Sequence, residues 1–230
     1  KDTSRIYGEV NPTFTALYNG FKNSDNINSI GVSGAPGMAT GATVTSDAGT
    51  YPITTTTGNL SSKNYLFAAV NGQLTIGKAT LTVKANDTSR IYGEANPTFT
   101  AGFSGFRNND NATTIGLSGA PSFATSATKA SDAGIYPITT AAGDLSSKNY
   151  LFTAVNGQLT IGKATLTVKA NDTSRAYGEA NPVFTAGYSG FKNSDNITNI
   201  GLSGTPSLST GATLTSDAGT YPITASASGM

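Results

Sequence analysis

One unit is written three times along this chain, at a step of 85 residues. Asp2, Asp87 and Asp172 stand in register, as do Tyr7, Tyr92 and Tyr177, and Phe21, Phe106 and Phe191. Lys1–Gly77 and Asn86–Gly162 are identical at most of their aligned positions. Repetition at that fidelity constrains the architecture before anything else, because each copy has to adopt the same fold. A unit of 85 residues is long enough to bury a core of its own, whereas short solenoid repeats are stable only when stacked. The chain therefore divides into residues 1–77 (first repeat, without the opening strand), 78–162 (second repeat, complete) and 163–230 (third repeat, without the closing hairpin).

The second repeat opens with Ala79, Leu81, Val83 and Ala85 on one face and Thr80, Thr82 and Lys84 on the other. Period two predicts a half-buried strand. Asn86–Pro97 reads as a loop, and a second alternation through Phe99, Ala101 and Phe103 ends at Gly105. Arg107–Ile115 carries Asn109-Asp110-Asn111 without alternation, which predicts a short helix capped near Asn109. Pro121–Thr125 is extended, Ser131–Gly134 is a turn, and Ile135–Thr140 is a strand whose Pro137 calls for an edge or bulge. Tyr150–Val155 and Gln158–Ile161 flank Asn156-Gly157, a strong hairpin signal that recurs at Asn71-Gly72.

At the boundary, Leu159 and Ile161 face one way, but after Gly162-Lys163 the apolar set becomes Ala164, Leu166, Val168 and Ala170. The parity slips by one residue, which turns the inward face over. One extended segment is thus expected to serve two successive cores with almost no linker, as a stiff string of beads. Three units with a radius of gyration of about 12 Å each would make a rod on the order of 100 Å.

Cysteine, histidine and tryptophan are absent. Disulfides, thiolate zinc sites, cysteine nucleophiles and histidine bases are excluded with them. Fourteen basic and 13 acidic residues give a formal net charge of +1, spread over matching repeat positions such as Arg5, Arg90 and Arg175. That pattern argues against a nucleic-acid partner, which calls for clustered Lys and Arg. No apolar run reaches bilayer thickness, so no membrane insertion by this segment is expected. Neither a hydrolase signature nor a phosphate-cradling loop is present. The expectation is a non-enzymatic protein with no cofactor.

Tyr-Gly-Glu-Ala-Asn-Pro (Tyr92–Pro97), the aromatic pattern Phe99–Phe106, Gly-Ala-Pro (Gly119–Pro121) and Val-Asn-Gly-Gln-Leu-Thr-Ile (Val155–Ile161) together resemble the MBG repeat of YGX type. The resemblance covers essentially the whole chain and carries no catalytic residues. It implies a secreted or surface-attached bacterial protein in which such units form arrays. The order of elements suits a mainly β (α+β) fold of tandem β-grasp-like domains in an elongated array, each with a short helix. The alternative is an immunoglobulin-like β-sandwich repeat, because Asp47–Tyr51, Asp132–Tyr136 and Asp217–Tyr221 look like the approach to a tyrosine corner. A plain turn followed by a strand tyrosine accounts for them as well.

An aromatic face beside a carboxylate suits a sugar, so Tyr7 and Glu9, Tyr92 and Glu94, and Tyr177 and Glu179 form the candidate ligand surface. On the structural alternative the tyrosine packs over the end of the unit, the glycine supplies a special backbone angle and the glutamate is solvated. Tyr18, Phe103 and Tyr188 share one aromatic position that suits either binding or core packing. Asn23-Ser24-Asp25-Asn26 offers a single carboxylate, too few oxygen ligands for calcium, and reads as a cap. Two functions follow: a stiff stalk that projects an adhesive domain, or weak glycan- or mucin-binding modules acting by avidity. Self-association through the open strand edge of the third repeat is a further expectation.

Overall fold

The computed structural model describes residues 1–228, and no helix occurs among them. The first repeat contributes β1 (Thr3–Ile6), β2 (Gly37–Ala39), β3 (Gly49–Thr56) and β4 (Gly72–Gly77). The second contributes β5 (Ala79–Ala85), β6 (Thr88–Ile91), β7 (Ala101–Ser104), β8 (Ser122–Ala124), β9 (Gly134–Ala141), β10 (Tyr150–Val155) and β11 (Gly157–Gly162). The third contributes β12 (Thr167–Ala170), β13 (Ala186–Ser189), β14 (Ser207–Thr210) and β15 (Ile223–Ser226). The protein is mainly β, as its period-two patterning predicts.

Two compact units form, and their limits do not follow the repeats. Unit 1 comprises Lys1–Asn86, Phe99–Ala124 and Ile138–Gly157; unit 2 comprises Asp87–Thr98, Thr125–Pro137 and Gln158–Met230. In unit 1 one sheet has the order β1-β4-β3-β2 and another the order β10-β5-β7. β1 runs parallel to β4, with Thr3 opposite Leu74, while β3 is antiparallel to it. β5 lies between a parallel β10, with Tyr150 opposite Ala79, and an antiparallel β7. In unit 2, β6 runs parallel to β11, and β12–β13 and β14–β15 are antiparallel pairs.

Pro52 shows how a proline fits inside β3. β2 pairs only with Thr54–Thr56, so the strand is locally an edge at Pro52 and no ladder hydrogen bond is lost.

The expected short helix is not formed. Thr114 and Ile115 N–H both donate to the Asn111 carbonyl, which makes one turn. The Asn111 side chain caps that turn by accepting from the N–H groups of Thr113 and Thr114, as a cap should, but Gly116 follows at φ 58° and stops propagation.

The expected hairpin at Asn156-Gly157 is also absent. β10 and β11 flank it but belong to different sheets. Neither residue has the positive φ of a type I′ turn. Instead Asn156 accepts the Thr140 N–H at 3.0 Å, and a Cβ on Gly157 would stand 2.5 Å from the Ala85 carbonyl oxygen. The glycine is there for close approach to the end of β5.

At Gly77-Lys78, the counterpart of Gly162-Lys163 at the first boundary, the parity slip has a different consequence from the one expected. Leu74 and Ile76 of β4 and Ala79 and Leu81 of β5 join one hydrophobic cluster, together with Tyr7, Ile53, Ile115 and Tyr150. The chain leaves one sheet and enters another at Gly77-Lys78. Side chains that must keep facing the same core then have to switch sides of the strand. The slip marks a strand changing sheets over a single core. Ile53, Leu74 and Leu81 are fully buried there, each stabilising by about 1.5–3 kcal/mol.

Candidate functional site: the contact between repeats

Tyr7-Gly8-Glu9 forms a tight turn at the end of β1. The Glu9 N–H donates to the Ile6 carbonyl at 3.1 Å, Gly8 takes φ 84°, and the Glu9 carboxylate accepts the Ile6 N–H at 2.9 Å. Glycine at the third position of a turn with positive φ is what a type II geometry requires. The same bonds recur at Glu94, to Ile91, and at Glu179, to Ala176. These three carboxylates brace their own turns and stay exposed.

The turn aims Tyr7 into the body of unit 1. Its hydroxyl donates to Asp110 of the second repeat at 3.1 Å, and the Tyr150 hydroxyl donates to the same carboxylate at 2.7 Å. The two rings meet edge to face, with centroids 5.6 Å apart. Burial, followed by the bond to Asp110, pushes the Tyr150 hydroxyl up to about 12. Asp110 is presented by Asn108 and Asn109, which hold φ 52° and 61°, and its own N–H donates to the Arg107 carbonyl. Two consecutive left-handed residues make a tight turn that asparagine tolerates better than most residues.

A second set of contacts lies beside the first. Asp47 accepts from Lys148 Nζ and from Asn149 Nδ2 at 2.8 Å, while Asn149 Oδ1 accepts the Ala48 N–H at 2.9 Å. The hydrogen bonds from Lys148 and Asn149 hold the Asp47 carboxyl below its usual value, and the bond to Asp47 raises Lys148. Asn108 Nδ2 donates to the Val44 carbonyl at 3.2 Å. Each pair joins a residue of the first repeat to one of the second. The motif that reads as a ligand surface in the sequence is, at Tyr7, the seam between neighbouring copies.

Unit 2 repeats part of this seam. Asn193 Nδ2 donates to the Lys129 carbonyl at 3.3 Å, and a Cβ on Gly93 would stand 2.5 Å from that of Lys192. Tyr92 is half-buried and lines a cleft of about 470 Å³ with Asp132, Lys163, Phe191, Lys192 and Asp195. Tyr177, by contrast, is 69% exposed.

The model of the MBG domain (YGX type) family matches residues 1–75, 81–160 and 166–229. The chain belongs to that family. Comparison with curated proteins and with solved structures gave no match. In the first two of these MBG repeats the Tyr-Gly pair is the part of the motif that meets the next copy.

Other candidate positions of the MBG units also find structural partners. Asp25 accepts the Tyr65 hydroxyl at 2.6 Å, the counterpart of Asp110 with Tyr150. No cluster of three acidic, histidine or cysteine side chains able to hold a metal occurs among the described residues. Phe103 packs against the core cluster, and Tyr18 meets Phe67 edge to face at 6.2 Å. Tyr51, Tyr136 and Tyr221 each donate to the carbonyl four residues upstream, at Asp47, Asp132 and Asp217.

Arg5 and Arg90 are buried, and each donates to an asparagine side chain and two carbonyls: Asn11, Ile6 and Thr43 in one case, Asn96, Ile91 and Thr128 in the other. Sequence reasoning missed Lys148-Asn149-Tyr150 as the partner of Tyr7 and Asp47. The signal was there, since Ser-Lys-Asn-Tyr stands unchanged at 62–65 and 147–150.

Proposed function

We propose that these tandem MBG repeats form a non-enzymatic segment of a bacterial cell-surface or secreted adhesin, acting as a stiff stalk. The observation that supports this is the single core shared across Gly77-Lys78: β4 ends and β5 begins with one residue between them, and both feed the same cluster. A boundary that has to break a core to bend is stiff, whereas a solvated tether is not. No helix of the described residues is long and apolar enough to cross a membrane. At the level of fold, we favour the β-grasp-like reading without a helix. β5 lies between an antiparallel and a parallel neighbour, whereas the sheets of an immunoglobulin sandwich are antiparallel.

The test uses the absence of cysteine. Cysteines introduced at Ser4 and Thr153, both exposed strand positions of unit 1, take two spin labels for electron-electron distance measurement. A narrow distribution supports the stalk, and a broad one overturns it. The glycan- or mucin-binding reading rests on the exposed Tyr177 beside Glu179. A mucin and glycan panel, probed with the full chain and with Tyr177→Ala, decides it.

A further inference from the structure

β10 is an outer strand of the β10-β5-β7 sheet, and all three of those strands lie within the second repeat and within unit 1. The Ala79 N–H donates to the Asn149 carbonyl at 2.9 Å, which sets the phase of the ladder between β5 and β10. Backbone groups alternate sides along a strand, so Leu151, Thr153 and Val155 turn theirs toward β5. Those of Phe152 and Ala154 point away from the sheet, where no strand of the described residues pairs with them.

Outer strands ordinarily carry a device against further pairing, such as shortness, a charge, a proline or a bulge. β7, at the opposite edge, has only four residues and stops at Gly105, which holds φ 99°. β10 has six residues, Tyr-Leu-Phe-Thr-Ala-Val, and no charge or proline among them. Its surface is also apolar. The large hydrophobic side chains that the second repeat exposes in unit 1 are Leu151, at 58%, and Val155, at 41%. They stand on one face of β10, on either side of the exposed Thr153. A free backbone edge and exposed apolar surface therefore coincide on one strand.

We propose that two copies of the chain pair through β10, antiparallel about a twofold axis at Thr153, so that two three-stranded sheets become one of six strands. In that register the segment is its own complement. Leu151 lies opposite Val155 of the partner subunit, and Thr153 lies opposite its own copy. Phe152 and Ala154 exchange N–H···O=C bonds across the axis through the groups that point outward. Thr153 and the two Leu151–Val155 pairs then occupy the non-hydrogen-bonded positions, where antiparallel neighbours come closest. An uncharged strand has nothing with which to select an oppositely charged partner, whereas its own sequence matches it residue for residue. The contact is isologous, so association stops at a dimer. It is weak, because a single strand pair covers little surface. The proposal is independent of the stalk reading, which concerns the core and not this edge.

Sedimentation equilibrium of the full chain, from micromolar to millimolar concentration, tests it. The expected result is a weight-average mass that rises with concentration and levels at a dimer. Thr153→Lys, at an exposed position, places two ammonium groups face to face on the axis and weakens association about tenfold. A second variant reads the register directly. The chain has no cysteine, and Cα atoms in a non-hydrogen-bonded pair stand about 4.5 Å apart, within reach of a disulfide. Thr153→Cys therefore forms a covalent dimer under mild oxidation, while Thr80→Cys, exposed on the neighbouring strand β5, stays monomeric. A monomer throughout the concentration range overturns the proposal. So does growth beyond a dimer, association that Thr153→Lys leaves unchanged, or equal crosslinking of the two cysteine variants.

Discussion

Gly8 lies directly against Arg107: a Cβ built on the glycine would stand 2.6 Å from the arginine Cβ. The glycine of the Tyr-Gly motif therefore has two reasons to be there, a left-handed backbone at φ 84° and the closeness of the next repeat. Only the first applies at Gly178, where φ is also 84° but nothing lies within 4 Å. Gly178→Ala should cost about 1–2 kcal/mol, the price of a left-handed alanine, and Gly8→Ala clearly more. Urea denaturation of the two variants separates the terms, and equal losses would mean the seam yields freely.

Tyr150 couples the seam to alkaline pH. Its hydroxyl ionises near 10.0 when exposed and near 12 in the fold. Below pH 10 the group is neutral in both states and stability does not depend on it. Above pH 10 the unfolded chain loses the proton first, so stability falls as the pH rises, by about 2–3 kcal/mol on reaching pH 12. Tyr150→Phe is less stable at neutral pH, because the Arg107 N–H loses its acceptor, yet its alkaline slope is shallower than that of the parent. Guanidinium melts at pH 8 and 11 on both proteins check the difference, which cancels the other tyrosines.

Acid acts on the neighbouring contact with the opposite sign. The Asp47 carboxyl is held below its ordinary 3.8 by Lys148 and Asn149, so what it contributes is complete above that value. It is lost as the pH falls through the lowered one. The side chains are 42% and 69% exposed, and the effect is small and screened by salt. Asp47→Ala should lower the melting temperature more than Lys148→Ala, because the aspartate also holds the Asn149 amide. Calorimetry at pH 7 and low salt distinguishes them.

Much of this fold was legible locally. Alternation located β5, and the extended segment Ile135–Thr140 after the Ser131–Gly134 turn located β9. The tyrosine, glycine and glutamate of the turn announced a special backbone angle. What was not legible depended on neighbours far along the chain. Asn156-Gly157 has the composition of a hairpin, but the glycine is needed because Ala85 passes beside it. Asn111 caps a single turn that Gly116 keeps from propagating into a helix. The partner of Tyr7 lies 103 residues away at Asp110, and no local pattern links a tyrosine to a carboxylate in the next repeat.

Arg90 shows what repetition conceals in a charge count. The buried guanidinium holds Asn96, Ile91 and Thr128 together, and no buried polar side chain among the described residues lacks a partner. Removing it leaves those acceptors unsatisfied, so Arg90→Ala should cost about 2–4 kcal/mol. Arg175 makes the equivalent bonds to Asn181, Ala176 and Thr213 from a half-buried position, and Arg175→Ala should cost less. Chemical denaturation followed by far-UV circular dichroism ranks the two.

Ser24 is the place where the chain is open to improvement. It occupies the second left-handed position of its turn at φ 62°, where the second repeat has Asn109 at φ 61°. Asparagine adopts that region at lower cost than serine, and glycine at none. Ser24 precedes Asp25, whose carboxylate accepts the Tyr65 hydroxyl, so a relaxed turn leaves that bond in place. Ser24→Asn should stabilise the first repeat by a few tenths of a kcal/mol, and Ser24→Gly by about 0.5–1 kcal/mol once the greater freedom of the unfolded chain is counted. Differential scanning calorimetry of both variants reads the shift. A loss of stability in both would show that the serine hydroxyl makes a contact worth more than the backbone strain.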